Sequence, residues 1–287
     1  MPQPLEQLTA QVPGSTPELM QWITTQLAVG HTPAALQQSL LSTGWAEPLA
    51  QTAIAACLQA ASPLATAAPP AMPGPDLHQQ PGTIDVGDRH VQVLCSMEHP
   101  RLVLFGNLLS TPECEQLIAD ARPAMARSRT VATQTHGEEI NPARTSNGMF
   151  YTRGQTPVVA RLEARIAQLL RWPVVHGEGL QILNYLPGAE YQPHHDYFDP
   201  DKPGSAALLR RGGQRLGTLV IYLNDVPAGG GTYFPQSKLR IQPRQGNAVF
   251  FAYPTPEAHT LTLHAGDPVI QGEKWIATKW LRAQPFH

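Results

Sequence analysis

Lysine and arginine are absent from residues 1–88, cysteine occurs three times in 287 residues, and no 18-residue apolar run exists anywhere. Each shortage excludes something. Without an apolar run of spanning length, a transmembrane helix is excluded. Cys57, Cys95 and Cys114 are scattered, odd in number, and form no CxxC or Cys/His cluster. That argues against a disulfide scaffold or structural zinc and fits a reducing compartment. The start, MPQPLEQLTA, lacks the basic and apolar segments of a signal peptide, so a cytoplasmic location is expected. The missing cations also divide the chain electrostatically. Glu6, Glu18, Glu47, Asp76, Asp85 and Asp88 leave 16 of the 22 acidic residues to face all 20 basic ones in the remainder. The first third therefore carries −6 and the rest +4. The formal net charge of −2 argues against general nucleic-acid or membrane-surface binding. Two modules with different partners are expected.

Hydrophobic residues at 42% and charged residues at 15% are sufficient for a packed core. Residues 1–62 read as a small helical bundle. Thr16-Pro17-Glu18 and Thr32-Pro33 are helix starts, with proline preset for the first turn. Leu19, Trp22, Ile23 and Leu27 recur at helical spacing before Gly30, and Leu36, Leu40 and Leu41 before Gly44. A third helix is predicted from Glu47 to Ala60, with Leu49, Ile54 and Leu58 as apolar positions. This punctuation resembles a ubiquitin-associated bundle; a plain bundle docking on its own catalytic domain is the alternative. Residues 61–83 are rich in Ala and Pro and poor in large apolar side chains, so a linker is assigned to 63–88.

Residues 89–287 read as one mainly β domain with flanking helices (α+β), its core at 180–283. Strands are expected at His90–Cys95 and Leu102–Phe105, and helices from Thr111-Pro112 and over Pro157–Leu170. Residues 128–148 and 198–213 read as long loops. Short apolar runs at 180–185, 216–223, 247–252, 259–264 and 274–282, separated by Gly, Pro and Asn, indicate a sandwich or jelly roll.

The stretch Tyr191-Gln-Pro-His-His-Asp-Tyr197 carries chemistry. Alternate side chains of a strand share a face, so His194 and Asp196 can point at one spot while His195 points away. An imidazole and a carboxylate at that spacing are two-thirds of a facial metal triad, the donor set of non-haem Fe(II) oxygenases. A second histidine must come from elsewhere. His264 follows 70 residues after His194, and Lys274 ten residues later. On consecutive antiparallel strands that lysine returns to the cavity of the metal. A buried lysine needs a counter-anion, and the distal carboxylate of a keto acid such as 2-oxoglutarate would supply one.

Further motifs complete the pattern: Arg144-Thr-Ser146, Asn184-Tyr-Leu-Pro-Gly188, Thr218-Leu-Val-Ile-Tyr-Leu-Asn224, Gly230-Gly-Thr-Tyr-Phe-Pro235 and Pro243-Arg-Gln-Gly-Asn-Ala-Val-Phe250. With them, residues 100–283 resemble the catalytic domain of prolyl 4-hydroxylases, which implies a double-stranded β-helix (jelly roll). The resemblance implies that His194, Asp196 and His264 hold Fe(2+), and that Lys274, Tyr185, Thr232 and Trp280 hold 2-oxoglutarate. It further implies O2 as oxidant and L-ascorbate as reductant for iron lost to oxidation. Trp280 and Tyr222 also read as core aromatics, and Thr232 as a turn residue. Arg144, with Ser146 and Tyr222, is a candidate substrate contact or, for Arg144, a structural ion-pair donor. His195, His259 and His287 read as bystanders.

The implied reaction is hydroxylation of peptidyl proline at its 4-position, with release of succinate and CO2. Oxidation of a free amino acid, nucleic-acid demethylation and a non-catalytic protein-binding module are the rivals. The modest positive balance and a lysine in place of an arginine anchor speak against a nucleic-acid substrate. The partners expected are a proline-containing protein or peptide and a protein bound by the N-terminal bundle.

Overall fold

The computed structural model describes residues 9, 12–28, 33–60, 72–127, 130–131, 138–139, 144–202 and 204–287. The chain divides into two units, Met1–Pro69 and Pro70–His287. Gly30, Thr32, residues 61–71 and most of 128–143 lie outside the described residues.

In the first unit the expected helices are α1 (Pro17–Ala28), α2 (Pro33–Ser42) and α3 (Glu47–Ala60). Thr16 caps α1, its Oγ1 accepting from the Leu19 N–H at 3.2 Å. Leu19, Met20 and Ile23 pack with Leu36, Leu40 and Ile54. Trp22 is 37% exposed, because the adjacent Met20 and Ile23 occupy the buried face.

In the second unit, β1 (Thr83–Asp85) already pairs with β2 (His90–Met97). The linker assigned to 63–88 therefore ends earlier. Met72, Leu77 and Ile84 pack against the core, Val86 is buried within it, and the Gly74 N–H donates to the Leu170 carbonyl at 2.8 Å. Composition counted these apolar residues as too few, but they need only cover a surface that another segment builds.

Next come β3 (Arg101–Gly106), α4 (Thr111–Ala121), β4 (Ala126–Arg127), β5 (Thr130–Val131) and β6 (Glu138–Glu139). They are followed by β7 (Asn147–Tyr151), α5 (Pro157–Leu170), β8 (Leu180–Tyr185), β9 (Tyr191–His194), α6 (Ser205–Arg210) and β10 (Arg215–Tyr222). The chain continues through β11 (Ala228–Gly229), β12 (Thr232–Phe234), β13 (Leu239–Ile241) and β14 (Ala248–Ala252). It finishes with β15 (His264–Gly266), β16 (Val269–Gln271) and β17 (Lys274–Arg282). The large sheet runs β1-β2-β3-β14-β10-β17-β8-β7-β4, and a smaller one runs β13-β12-β15-β9. This is the mainly β jelly roll with added helices that the sequence implies.

Period-two alternation sorts the side chains. On β17, Lys274, Ile276, Thr278, Trp280 and Arg282 face a cavity, whereas Trp275, Ala277 and Leu281 join α4 and α5 in the core. On β8, Gln181, Leu183 and Tyr185 take the cavity side, with Leu180 and Ile182 behind. Both helices are closed at their starts. Ser110 forms a capping box with Glu113, and Thr156 Oγ1 accepts from the Val159 N–H. Three expectations differ. The run 259–264 is a 3-10 turn, Ala258–Thr260, followed by Leu261 at φ 56°, and the strand starts only at His264. The loop 198–213 contains α6, and the loop 128–148 ends in β7.

Leu162 on α5 is fully buried between helix and sheet. Leu162→Ala should lower unfolding stability by about 2–5 kcal/mol, read as a lower urea midpoint by tryptophan fluorescence.

Candidate active site

The two histidines meet because β9 and β15 are neighbours: His194 and His264 are direct partners across the ladder. Asp196 lies two residues past the end of β9, in loop backbone. Strand alternation therefore does not aim it. Thr218 Oγ1 donates to Asp196 Oδ2 at 2.7 Å, and Arg215 Nη1 donates to the Asp196 carbonyl at 3.2 Å. One ligand atom from each of His194, Asp196 and His264 falls within 4.8 Å of the others.

The protonation of this group suits a divalent metal. His194 Nδ1 lies 2.8 Å from the Gln192 carbonyl and His264 Nδ1 lies 3.0 Å from the Thr262 carbonyl. A carbonyl only accepts, so each Nδ1 carries the proton and each Nε2 lone pair is left for a metal. Burial and the neighbouring His264 push the His194 pKa down to about 3, which keeps the imidazole neutral. Burial opposes ionisation of Asp196, but the charge of Arg215 and the hydrogen bond from Thr218 favour the carboxylate. Two imidazole Nε2 atoms and one carboxylate fit ferrous iron with open positions. Tyr191 stacks on the His194 ring at 3.6 Å between centroids, and Arg144 lies 5.0 Å over Tyr191 from the other side.

These groups open on a cavity of about 1080 Å3. Lys274, the register partner of Tyr185, is 3% exposed with its Nζ 5.4 Å from that ring's centre. No carboxylate of the described residues lies within ion-pair distance of it. Burial lowers its pKa to about 8, with only the charge of Asp267 opposing. Thr232 follows a turn in which Gly229 and Gly230 take positive φ, and a Cβ on Gly229 would stand 2.3 Å from the Pro268 carbonyl oxygen. Tyr222 is fully buried and does not line the cavity, which corrects its candidacy as a substrate contact. Its hydroxyl donates instead to Thr232 Oγ1 at 2.8 Å, leaving the threonine hydrogen for another acceptor. Ser146 is likewise buried away from the cavity lining.

Arg144 lines the cavity and donates to Gln181 Oε1 at 2.9 Å, so its partner is an amide rather than an acid. Trp280 lines it too, with Arg215 stacked 4.0 Å from the ring centre. His195 stacks on Tyr197 at the cavity wall, and His259 pairs with Glu257 on the surface. His287 also lines the cavity.

Sequence reasoning missed the support for this wall. Arg215 and Arg282 are register partners at the ends of apolar strands, and both bond the Glu178 carboxylate. Lys279 donates to Glu163 Oε1 and to the Glu178 carbonyl. The available signal was Arg215 opening the otherwise apolar β10 and Arg282 closing β17.

Residues 180–282 match the family described as the 2OG-Fe(II) oxygenase superfamily. The chain is similar to probable prolyl 4-hydroxylase 3 of Arabidopsis thaliana, 38% identical over 221 residues, spanning 70% of this chain and 75% of that protein. Prolyl 4-hydroxylase 5 of the same plant is also 38% identical over 221 residues, spanning 70% and 74%. Among solved structures it is similar to a viral collagen prolyl hydroxylase of Paramecium Bursaria Chlorella virus-1 in complex with 2OG. The TM-score is 0.49 and the identity 29%, covering 63% of this chain and 96% of that one.

Glu178→Ala should cost about 3–5 kcal/mol of stability by leaving two buried guanidinium groups unpaired. A thermal melt without added metal, equal to the wild type, would refute that reading of the wall.

Proposed function

The chain belongs to the prolyl 4-hydroxylase family of 2OG-Fe(II) oxygenases, and from that premise we propose that it hydroxylates peptidyl proline at the 4-position. It is a 2-oxoglutarate-dependent dioxygenase, not an isolated binding module. Fe(2+) with 2-oxoglutarate and O2 supplies the oxidation, in which a carbon–hydrogen bond becomes a carbon–hydroxyl bond while the keto acid is split to succinate and CO2. His194, Asp196 and His264 would hold the iron. The protein's own residues do the rest by position and charge.

The observation that carries the reading is that the three donors and an unpaired, buried Lys274 share one cavity. Lys274 receives the distal carboxylate of 2-oxoglutarate, which provides the counter-anion that its burial demands. Thr232 donates its free hydroxyl hydrogen to the same group, held in place by Tyr222 behind it, and Tyr185 and Trp280 wall the pocket. Arg144 and Tyr191 form the side of the cavity that receives the substrate chain.

L-Ascorbate belongs to the proposal as an external reductant, and undiminished turnover without it would remove it. Recruitment of a protein partner is assigned to the N-terminal helical unit, where Trp22 and Leu41 are exposed apolar side chains. The three described free cysteines are in keeping with a cytoplasmic location.

Proline-rich peptides incubated with Fe(2+), 2-oxoglutarate and O2 should gain hydroxyproline in step with succinate. Equal coupling with free proline and none with peptides would overturn the substrate class. Because Lys274 must be charged to pair with the cosubstrate, the KM for 2-oxoglutarate should rise as pH climbs through about 8. Well above that value the rise should be about tenfold per pH unit. Lys274→Met should raise the KM strongly and abolish the pH-dependent rise while Mn(II) still binds. A mutant with unchanged 2-oxoglutarate kinetics would defeat the assignment.

A further inference from the structure

A relay of hydroxyl groups approaches the metal-binding carboxylate from behind. Tyr253 is 1% exposed and Thr218 is fully buried. Thr218 Oγ1 stands 2.7 Å from Asp196 Oδ2 and 2.8 Å from the Tyr253 hydroxyl oxygen. Neither hydroxyl takes part in the two contacts that hold the backbone here, Arg215 to the Asp196 carbonyl and the Tyr253 N–H to the Leu216 carbonyl.

The hydrogen positions follow from counting. An ionised carboxylate only accepts, and a threonine hydroxyl has one hydrogen. Thr218 therefore spends that hydrogen on Asp196 Oδ2, and the 2.8 Å contact to Tyr253 can be filled only by the tyrosine hydrogen. The direction is Tyr253 to Thr218 to Asp196, with no alternative arrangement that leaves both contacts bonded. Burial raises the Tyr253 pKa well above its usual value, which keeps the relay's outer hydrogen in place.

Asp196 needs such a hold because it sits in loop backbone past β9. Its Oδ1 lies 3.7 Å from His194 Nε2 and its Oδ2 lies 3.7 Å from His264 Nε2. A carboxylate free to turn about its Cβ–Cγ bond could offer either oxygen or both to a metal between those imidazoles. Resting on the iron site proposed above, we propose that Thr218 and Tyr253 are positioning residues that lock the Asp196 carboxylate plane for metal binding. They touch no substrate and move no proton. The hydrogen bond to Oδ2 engages one face of the carboxylate and fixes its rotation, so the donor set is organised before metal arrives. β10 supplies Thr218, and Tyr253 immediately follows β14. The rigid large sheet thus orients a ligand that its own loop cannot.

The test is anaerobic calorimetric titration of the full-length protein with Mn(II), without 2-oxoglutarate or substrate, alongside urea unfolding of the metal-free form. Thr218→Val is nearly isosteric and removes both the donor to Asp196 and the acceptor for Tyr253; Thr218→Ser keeps both; Tyr253→Phe removes the outer donor alone. Thr218→Val should weaken Mn(II) binding about 10–100-fold, Thr218→Ser should stay within about threefold of wild type, and Tyr253→Phe should fall between. A Thr218→Val protein that loses stability yet binds Mn(II) like the wild type overturns the proposal, since the relay would then be structural only. Should Thr218→Val fail to fold, Tyr253→Phe decides: weakened Mn(II) binding upholds the relay and wild-type binding rejects it. A wild-type protein that takes up no Mn(II) defeats the metal reading itself and the positioning with it, so the two failures are told apart.

Discussion

An ionised carboxylate buried between two imidazoles is the constraint on which the catalytic unit depends. Asp196 is 8% exposed, and burial alone would drive it towards the neutral acid. Its charge persists because the Arg215 guanidinium lies close to it and the Thr218 hydroxyl donates to it. The residues around it come from three strands: β10 for Arg215 and Thr218, β9 for His194 and β15 for His264. Closing two sheets over one another is what brings these strands to one point, so the fold and the donor set cannot be separated.

The same cost governs the wall beside the site. Glu163, Lys279, Glu178, Arg215 and Arg282 are all buried, and each charge faces an opposite one. Such a network adds little net stability over an apolar core, but removing one member exposes the others to the full penalty. It holds Arg215 rigidly enough to grip the backbone of Asp196 and to stack on Trp280. Lys274 and Arg144 are the exceptions in this region, buried cations without an anion among the described residues. Structural lysines are paired, as Lys279 is; one left open at a cavity wall awaits an anion.

Much of this was legible beforehand. The 3.6-residue spacing and the Thr-Pro starts located the N-terminal helices, and Pro157–Leu170 was bounded correctly at both ends. Short apolar runs broken by Gly, Pro and Asn located β8, β10, β14 and β17 of the large sheet. Short strands such as β11, β12 and β16 were not legible, because two or three residues carry no period. The stretch from Met72 to Asp88 was misjudged for a related reason: four apolar residues suffice when the surface they cover is built elsewhere. Tyr222 was misplaced because a tyrosine one residue off a cavity and one lining it have the same sequence surroundings.

The chain's own order of residues determined the chemistry available: one HxD pair, a histidine 70 residues on, a lysine ten further, and the strands to carry them. Those are local properties of residue type and spacing. Only the tertiary structure decided that His194 faces His264 across a ladder, that Asp196 is aimed by Thr218 rather than by strand alternation, and that Glu178 serves two arginines. Each of these joins residues far apart in sequence, and register between strands is set by the packing of a whole sheet face, which no short segment contains.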